Sequence, residues 1–370
     1  MSKIKVDTVT NVAGTGAPNI PDGITVGGVA LASINVQEHY AQSAAPSSPK
    51  DGAVWYDTDD DKAYVYINSE FYELDYTNLP TNIGSRGVFG GGTEDVSQQV
   101  TIQYITIASA GNATDFGDLS VGRYAVSGCS SGSRGVFAGG WNNTSSSRVN
   151  TIDYITIAST GNATDFGDLT TTARYTVSVS NGVRGVISLG QTSSTFTNTL
   201  EYITIATTGN TTDFGDLTVS KNQHTGAAST SRGLFAGGWS SAGRSDVIDY
   251  ITIASTGNAT DFGDLTVARN ISAGCANSTR AVFAGGYGGS GVVDTIDYVT
   301  IATTGNATDF GNLLSVTSSL AGLASETRGV FSGGSSSNVI EYITIATVGN
   351  ATDFGDLLEV RHLHAGLSGD

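Results

Sequence analysis

Residues 154–169 read Tyr-Ile-Thr-Ile-Ala-Ser-Thr-Gly-Asn-Ala-Thr-Asp-Phe-Gly-Asp-Leu. Near copies begin at Tyr104, Tyr202, Tyr250, Tyr298 (with Val299 in place of Ile) and Tyr342. Working outward, the tetrad Arg-Gly-Val-Phe or a close variant begins at Arg86, Arg134, Arg184, Arg232, Arg280 and Arg328. From each of the first five tyrosines to the following arginine is 30 positions. After Tyr342 the next arginine would fall at 372, beyond Asp370. The sixth unit lacks its following Arg-Gly-Val-Phe strand and the first lacks the strand before it, so joining the ends mends both defects.

Apolar residues come as short β-branched runs without sustained helical periodicity, which predicts an all-β chain. A 44–50-residue period of such segments predicts a six-bladed β-propeller. Four strands are expected per blade. Strand A precedes the arginine (Tyr124 to Cys129), B is Gly-Val-Phe-Ala, C is Asp-Tyr-Ile-Thr-Ile-Ala, and D surrounds Asp-Phe-Gly-Asp-Leu. The C-terminal strand, Leu363 to Ser368, is expected to close the ring beside Gly87-Val88-Phe89, leaving no open edge there.

Among 370 residues, glycine numbers 49 and proline 5, and 14% are charged. The net charge of -17, without a basic cluster, argues against nucleic-acid binding. No run of eighteen apolar residues predicts a membrane span. The opening Met-Ser-Lys-Ile-Lys-Val-Asp lacks an apolar signal region, which argues against classical secretion. Cys129 and Cys275 occupy equivalent sites in blades two and five, opposite one another in a six-bladed ring; both read as small buried thiols rather than a disulfide.

Four regions follow. Residues 1–45 form an extended, Gly-rich segment that cannot bury a core alone and is expected to be held by a partner chain. Within it, Val36 to Ala45 reads as a short helix. Residues 46–76 form a small β module: Val54-Trp55-Tyr56 and Ala63 to Ile67 make a hairpin, followed by a third strand, Phe71 to Leu74. Asp57, Asp59, Asp60 and Asp61 read as its solvated turn, since they lack the spacing and terminal glutamate of a calcium loop. Residues 77–83 are a linker, and 84–370 the propeller.

All insertions and deletions fall between strands B and C, in loops starting at Thr93, Trp141, Gln191, Trp239, Tyr287 and Ser335. A constant scaffold with variable loops is the layout of a binding surface. Trp141, Trp239 and Tyr287 hold one equivalent position and are candidates to stack on sugar rings; the alternative is that each packs over its own loop. Arg123, Arg174, Lys221, Arg269 and Arg361 open strand A. They are candidates to ring a channel mouth and receive an anionic sugar, against ordinary pairing between blades. The six tetrad arginines are read as structural, pairing with a repeat aspartate or capping a turn. Asp115, Asp165, Asp213, Asp261, Asp309 and Asp353 are read as capping tight turns through their side chains. The histidines His39, His224, His362 and His364 assemble no metal site, and no nucleophile or acid–base set stands out from the repeat. The expectation is a non-enzyme without cofactor or metal.

Two resemblances add to this. The Gly-Gly pairs ending strand B (Gly91-Gly92, Gly139-Gly140, Gly237-Gly238, Gly285-Gly286, Gly333-Gly334) resemble kelch-type propellers. So do the tyrosine on C, the aromatic on D and the basic residue on A. The third blade departs with Leu189-Gly190, and phenylalanine stands where kelch strand D usually has tryptophan. The Asp-Phe-Gly-Asp turns overlap partly with the Asp-box of sialidase propellers, itself a turn element.

Residues 1–76 are similar to N-terminal parts of tailed-bacteriophage virion proteins, especially tail-fibre-like ones. The similarity lies in Ser2-Lys3-Ile4-Lys5-Val6-Asp7-Thr8, Gly14-Thr15-Gly16-Ala17-Pro18 and Pro49-Lys50-Asp51-Gly52-Ala53-Val54-Trp55-Tyr56-Asp57. The resemblance implies a virion fibre or appendage, assembled in the host cytoplasm. Residues 1–76 would bind other virion proteins, and the chain would form a homo-oligomer such as a trimer. The propeller would face host-surface glycan or protein. The alternatives are a capsid-decoration or collar protein contacting only virion proteins, and a carbohydrate-active enzyme.

Overall fold

The computed structural model describes residues 3–5, 24–26, 29–31, 39–42, 45–49, 53–57, 62–67, 70–75, 86–94, 97–193 and 195–369. Among them there are strands and no helix. The chain divides into two compact units, Met1–Leu79 and Pro80–Asp370. The expected linker, 77–83, and Asp59 to Asp61 lie outside the described residues.

In the first unit, Val54–Asp57, Lys62–Ile67 and Glu70–Asp75 form an antiparallel meander. Lys3–Lys5 pairs parallel to Glu70–Asp75, and His39–Gln42 pairs parallel to Val54–Asp57, so residues 1–45 supply both edges of a five-stranded sheet. The short helix expected over 36–45 is corrected: residues 39–42 are extended, and an available sheet edge satisfies their backbone groups as a ladder. Tyr64 is buried, and Tyr66 and Phe71 stack with ring centroids 4.9 Å apart.

Among the described residues the second unit is built around six antiparallel sheets with one core plan, and small two- and three-stranded sheets sit in its loops. In the third, Val177–Ser180, Arg184–Ser188, Thr199–Thr204 and Thr212–Asp216 lie in chain order. The fourth, fifth and sixth sheets repeat this order. The second sheet extends to seven strands. In the first sheet, Arg86–Gly90, Thr101–Thr106 and Thr114–Asp118 take their remaining strand from Ala365–Gly369, which pairs with Leu367 opposite Val88.

Burial follows from the two-residue period of a strand. In each tetrad the valine or leucine faces the next sheet and the phenylalanine (isoleucine in the third) faces the previous one, both fully buried. Val136 packs with Phe166, Ile187 and Ile203 of the second and third sheets, whereas Phe137 packs with Val88, Ile102 and Phe116 of the first. Six such clusters occur, and one joins Val330, Ile340 and Phe354 of the sixth sheet to Phe89, Ile105 and Ile107 of the first. A sheet buried on both faces needs a neighbour on both sides, and these clusters supply one at every joint.

Three polar locks repeat at the joints. Each tetrad arginine stacks on its own sheet's tyrosine, 4.4–4.8 Å from the ring centroid, and donates to a carbonyl of the next sheet. Arg86 bonds Ile157 O at 2.7 Å, and Arg328 bonds Ile107 O at 2.9 Å, from the sixth sheet to the first. Each asparagine of Gly-Asn-Ala-Thr accepts the amide of the previous repeat's Asp118-type residue through Oδ1. Asn162 accepts from Asp118 at 3.0 Å, and Asn112 accepts from Asp356 at 3.1 Å. Beside this lock, Gly117 has φ of 146°, and a Cβ there would overlap Gly161 O, so both conformation and space require glycine. Finally, Ala125, Tyr175, Gln223, Ile271, Ser319 and Leu363 all take positive φ. The amide of Ala125 donates to Leu363 O, Leu363 to Ser319 O, Ser319 to Ile271 O, Ile271 to Gln223 O, and Tyr175 to Ala125 O.

The first strands of the sheets touch in sequence, and Ala365–Gly369 touches both Ala321–Ala324 and Ser127–Ser130. Two cavities of about 150 and 100 Å³ are lined by all six of these strands. Gly128, Ser178, Gly226, Gly274, Gly322 and Gly366 line both.

Candidate functional site

The residue before each repeat tyrosine is a polar hub that sequence reasoning missed. In the second, fourth and fifth sheets it is Asp153, Asp249 and Asp297, each fully buried. Arg123 meets Asp153 at 2.9 Å, Lys221 meets Asp249 at 3.0 Å and Arg269 meets Asp297 at 2.8 Å. A hydroxyl from the turn before the cation completes each hub: Ser120 Oγ donates to Asp153 at 2.6 Å and Thr266 Oγ1 to Asp297 at 2.6 Å.

The assignment of Arg123, Lys221, Arg269 and Arg361 to a ligand-receiving channel mouth is therefore corrected. All four are buried. Their side chains enter the sheet interior, where a carboxylate offsets the loss of hydration. Burial lowers the pKa of Arg123, Lys221 and Arg269, and the paired aspartates oppose the shift. Arg361 is lowered by burial too. It serves the first sheet, whose hub residue is the neutral Gln103, and takes Glu359 from its own segment as partner; Gln103 Nε2 also donates to Glu359.

The remaining two hubs show what happens without a cation. Gly140 donates to Ala173 O as Gly92 does to Arg123 O, so Ala173, not Arg174, is the third-sheet equivalent. There Glu201 accepts from Thr170 and Thr211 hydroxyls instead. In the sixth sheet the equivalent is Thr317, and buried Glu341 has only the Leu314 amide, 2.7 Å away. Burial pushes the Glu341 pKa up.

The turn role given to Asp115, Asp165, Asp213, Asp261, Asp309 and Asp353 is also corrected. These carboxylates are exposed on their strands, and the asparagine of each repeat makes the side-chain-to-backbone bond instead. The tetrad arginines donate to carbonyls of the next sheet, and among the described residues none of them pairs with an aspartate. Cys129 and Cys275 are free and buried, each thiol pushed up to about 12 by burial. His224 and His364 are buried against Phe235 and Phe89, and burial holds both well below the usual histidine range.

The remaining candidates lie in the loops between the second and third strands of each sheet. Trp141 pairs across a hairpin with Arg148, and Trp239 with Arg244. Neither indole is bare. Arg174 and Arg148 lie 4.7 and 5.5 Å from the Trp141 ring centroid, and Trp141 Nε1 donates to Asn143 Oδ1 at 3.1 Å. Arg244 lies 4.9 Å from Trp239 and 4.5 Å from Tyr287, joining two neighbouring loops. Tyr287 is the most exposed of the three rings, at 40%. The three aromatics therefore act as beds for guanidiniums. Arg148 and Arg244 were legible only as lone cations in variable loops beside an aromatic.

No protein-family model matches this chain, and no curated protein matches it.

Proposed function

We propose that the six sheets are the blades of a closed, six-bladed, kelch-like β-propeller. We further propose that the protein is a non-enzymatic structural component of a tailed-phage virion. In this reading residues 1–76 hold a fibre or appendage to other virion proteins, and the loop face of the propeller binds host-surface glycan. One observation carries the binding part. Every joint between sheets is locked by the same residues, whereas the loops on one face differ and gather arginines onto aromatic rings. Weak contacts of that kind gain strength when copies are displayed together on one particle. Against catalysis, the two axial cavities have a single carboxylate in their lining, Glu326, which accepts from Ser278; glycoside hydrolysis uses a pair.

The full chain should bind an array of bacterial surface saccharides saturably, and Trp141→Ala with Trp239→Ala should weaken that binding at least tenfold while the fold persists. Undiminished binding by the double variant contradicts the assignment of this face.

A specific observation favours contact with another virion protein as a second reading. Val219, Val267, Leu314, Val316 and Leu358 are exposed on the turns that lead from one sheet to the next. They form an apolar series on four successive turns, away from the turn that carries Arg174.

A further inference from the structure

One strand runs on where its equivalents stop. Elsewhere the strand containing Asp-Phe-Gly-Asp or Asp-Phe-Gly-Asn stops within that motif, as in Thr212–Asp216. In the second sheet it continues as Thr164–Arg174, beside a Ser147–Thr156 that is lengthened too. Ala173 and Arg174 pair with Thr192 and Gln191 of the next loop, as Lys221 and Asn222 pair with Ser240 and Trp239, but here the pairing residues belong to the same unbroken strand, and the next loop's own hairpin adds the last one. The loops of the second and third sheets are thereby one continuous sheet, and ladder hydrogen bonds hold its side chains in fixed register.

This platform concentrates positive charge on a chain of net charge -17. Arg148 and Arg174 share the Trp141 indole, and Arg174 also lies 5.2 Å from the Tyr175 ring centroid. Like charges this close repel, and the presence of Arg174 adds to burial in lowering the Arg148 pKa. Among the described residues neither guanidinium has a carboxylate partner. Arg174 Nε donates to Gln191 Oε1 at 2.8 Å, which fixes the plane of its fork, and among the described residues its two terminal nitrogens have no acceptor. Arg148 Nε is buried without a hydrogen-bond partner. Two like charges held together on a rigid support, with donors unsatisfied, call for an anion.

The surroundings say which kind. The Trp141 hairpin is Asn142, Asn143, Thr144, Ser145, Ser146 and Ser147, neutral hydrogen-bonding groups that match hydroxyls and offer no apolar patch to a protein. Tyr175 reaches the rim of the axial cavity of about 150 Å³, where Gln223 and Ser319 add further polar groups. The high net negative charge disfavours a long polyanion such as nucleic acid. We infer that the Trp141–Arg148–Arg174 platform is a binding site for a carboxylate-bearing saccharide, with the carboxylate on the two guanidiniums and the sugar hydroxyls over the Trp141 hairpin and Tyr175. This rests on the glycan-binding reading and narrows it to acidic sugars at one of the six joints.

The test uses the full chain against uronate-containing oligosaccharides, their neutral counterparts and an oligoglutamate peptide. The proteins are wild type, the Arg148→Gln, Arg174→Gln double variant, and Arg244→Gln. The expected result is a preference for uronate that weakens with added salt, falls at least tenfold in the double variant and persists in Arg244→Gln. Unchanged melting of the double variant separates lost contact from lost fold. Equal binding of neutral and acidic sugars, or acidic binding unchanged in the double variant, overturns this inference and leaves glycan binding standing. Tighter binding of oligoglutamate than of uronate overturns it in favour of a protein partner. Wild type that binds none of the saccharides overturns both readings.

Discussion

A chain ending at residue 364 loses its cooperative fold. Ala365–Gly369 supplies the whole pairing partner of one edge of Arg86–Gly90, and its removal exposes buried Val88 and Phe89. It also takes away Leu367, buried against the second sheet, and Ser368, whose Oγ donates to Ala324 O at 2.7 Å and whose carbonyl accepts from Ser130 at 2.6 Å. Each buried aliphatic side chain contributes roughly 1.5–3 kcal/mol, and each net hydrogen bond about 0.5–1.5 kcal/mol. The sum approaches the whole stability of a domain, about 5–15 kcal/mol. Because every sheet is covered on both faces, an opening at one joint strips a face from two sheets at once. Thermal melting followed by circular dichroism should show a broad, non-cooperative transition, with an enlarged radius in gel filtration. A sharp transition within a few degrees of the full chain would mean that the sheets stand without closure.

Asp153→Ala should be among the most damaging single substitutions in the chain. It leaves the Arg123 guanidinium buried without its carboxylate and orphans the Ser120 hydroxyl. Removing one partner of a buried pair costs about 3–5 kcal/mol, because the other charge stays desolvated and uncompensated. Arg123→Met combined with Asp153→Leu should recover most of that loss, since an apolar pair of similar volume carries no desolvation penalty. Chemical denaturation of the two single variants and the double variant reads both numbers. The sixth sheet gives the opposite sign. Among the described residues Glu341 has no cation, and burial raises its pKa above the ordinary 4.5. A raised carboxyl contributes stability that is full below the unfolded pKa and is lost as pH rises through the folded one. Glu341→Gln should therefore melt higher than wild type at pH 7, and the gain should vanish below pH 4.5, the ordinary value. A lower melting temperature at pH 7 would mean that Glu341 has a stabilising partner when charged.

The repeat made the strands legible, because the tetrad is a short apolar run and the Tyr-Ile-Thr-Ile segment alternates, each recurring at a nearly constant spacing. The pairing of the C-terminal segment beside Gly87-Val88-Phe89 was legible too, from the constant spacing. The side-chain roles were less so. Opposite ends of the same motif offer Asn112 and Asp115 as turn-forming residues, and nothing in the spacing says that the asparagine faces the neighbouring repeat and the aspartate faces water. Arg174 stands one position from the register of Arg123 and Arg269, and that one-residue shift moves a side chain from the sheet interior to the surface. The buried cations looked like a solvent-facing set because their partners, Asp153, Asp249 and Asp297, lie about 30 residues later in the chain. The pairing of Arg174 with Gln191 recurs as Asn222 with Trp239 and Asn270 with Tyr287, but only at this joint does the paired residue carry a guanidinium, and nothing in the spacing says that it reaches the Trp141 ring.

The most direct test of the account is where the protein resides. If the proposed virion role holds, an antibody raised against the full chain should decorate phage particles at a fixed position seen by electron microscopy, with the chain co-purifying with those particles. Unlabelled particles, with the chain confined to the soluble fraction of the lysed host, would contradict a virion role.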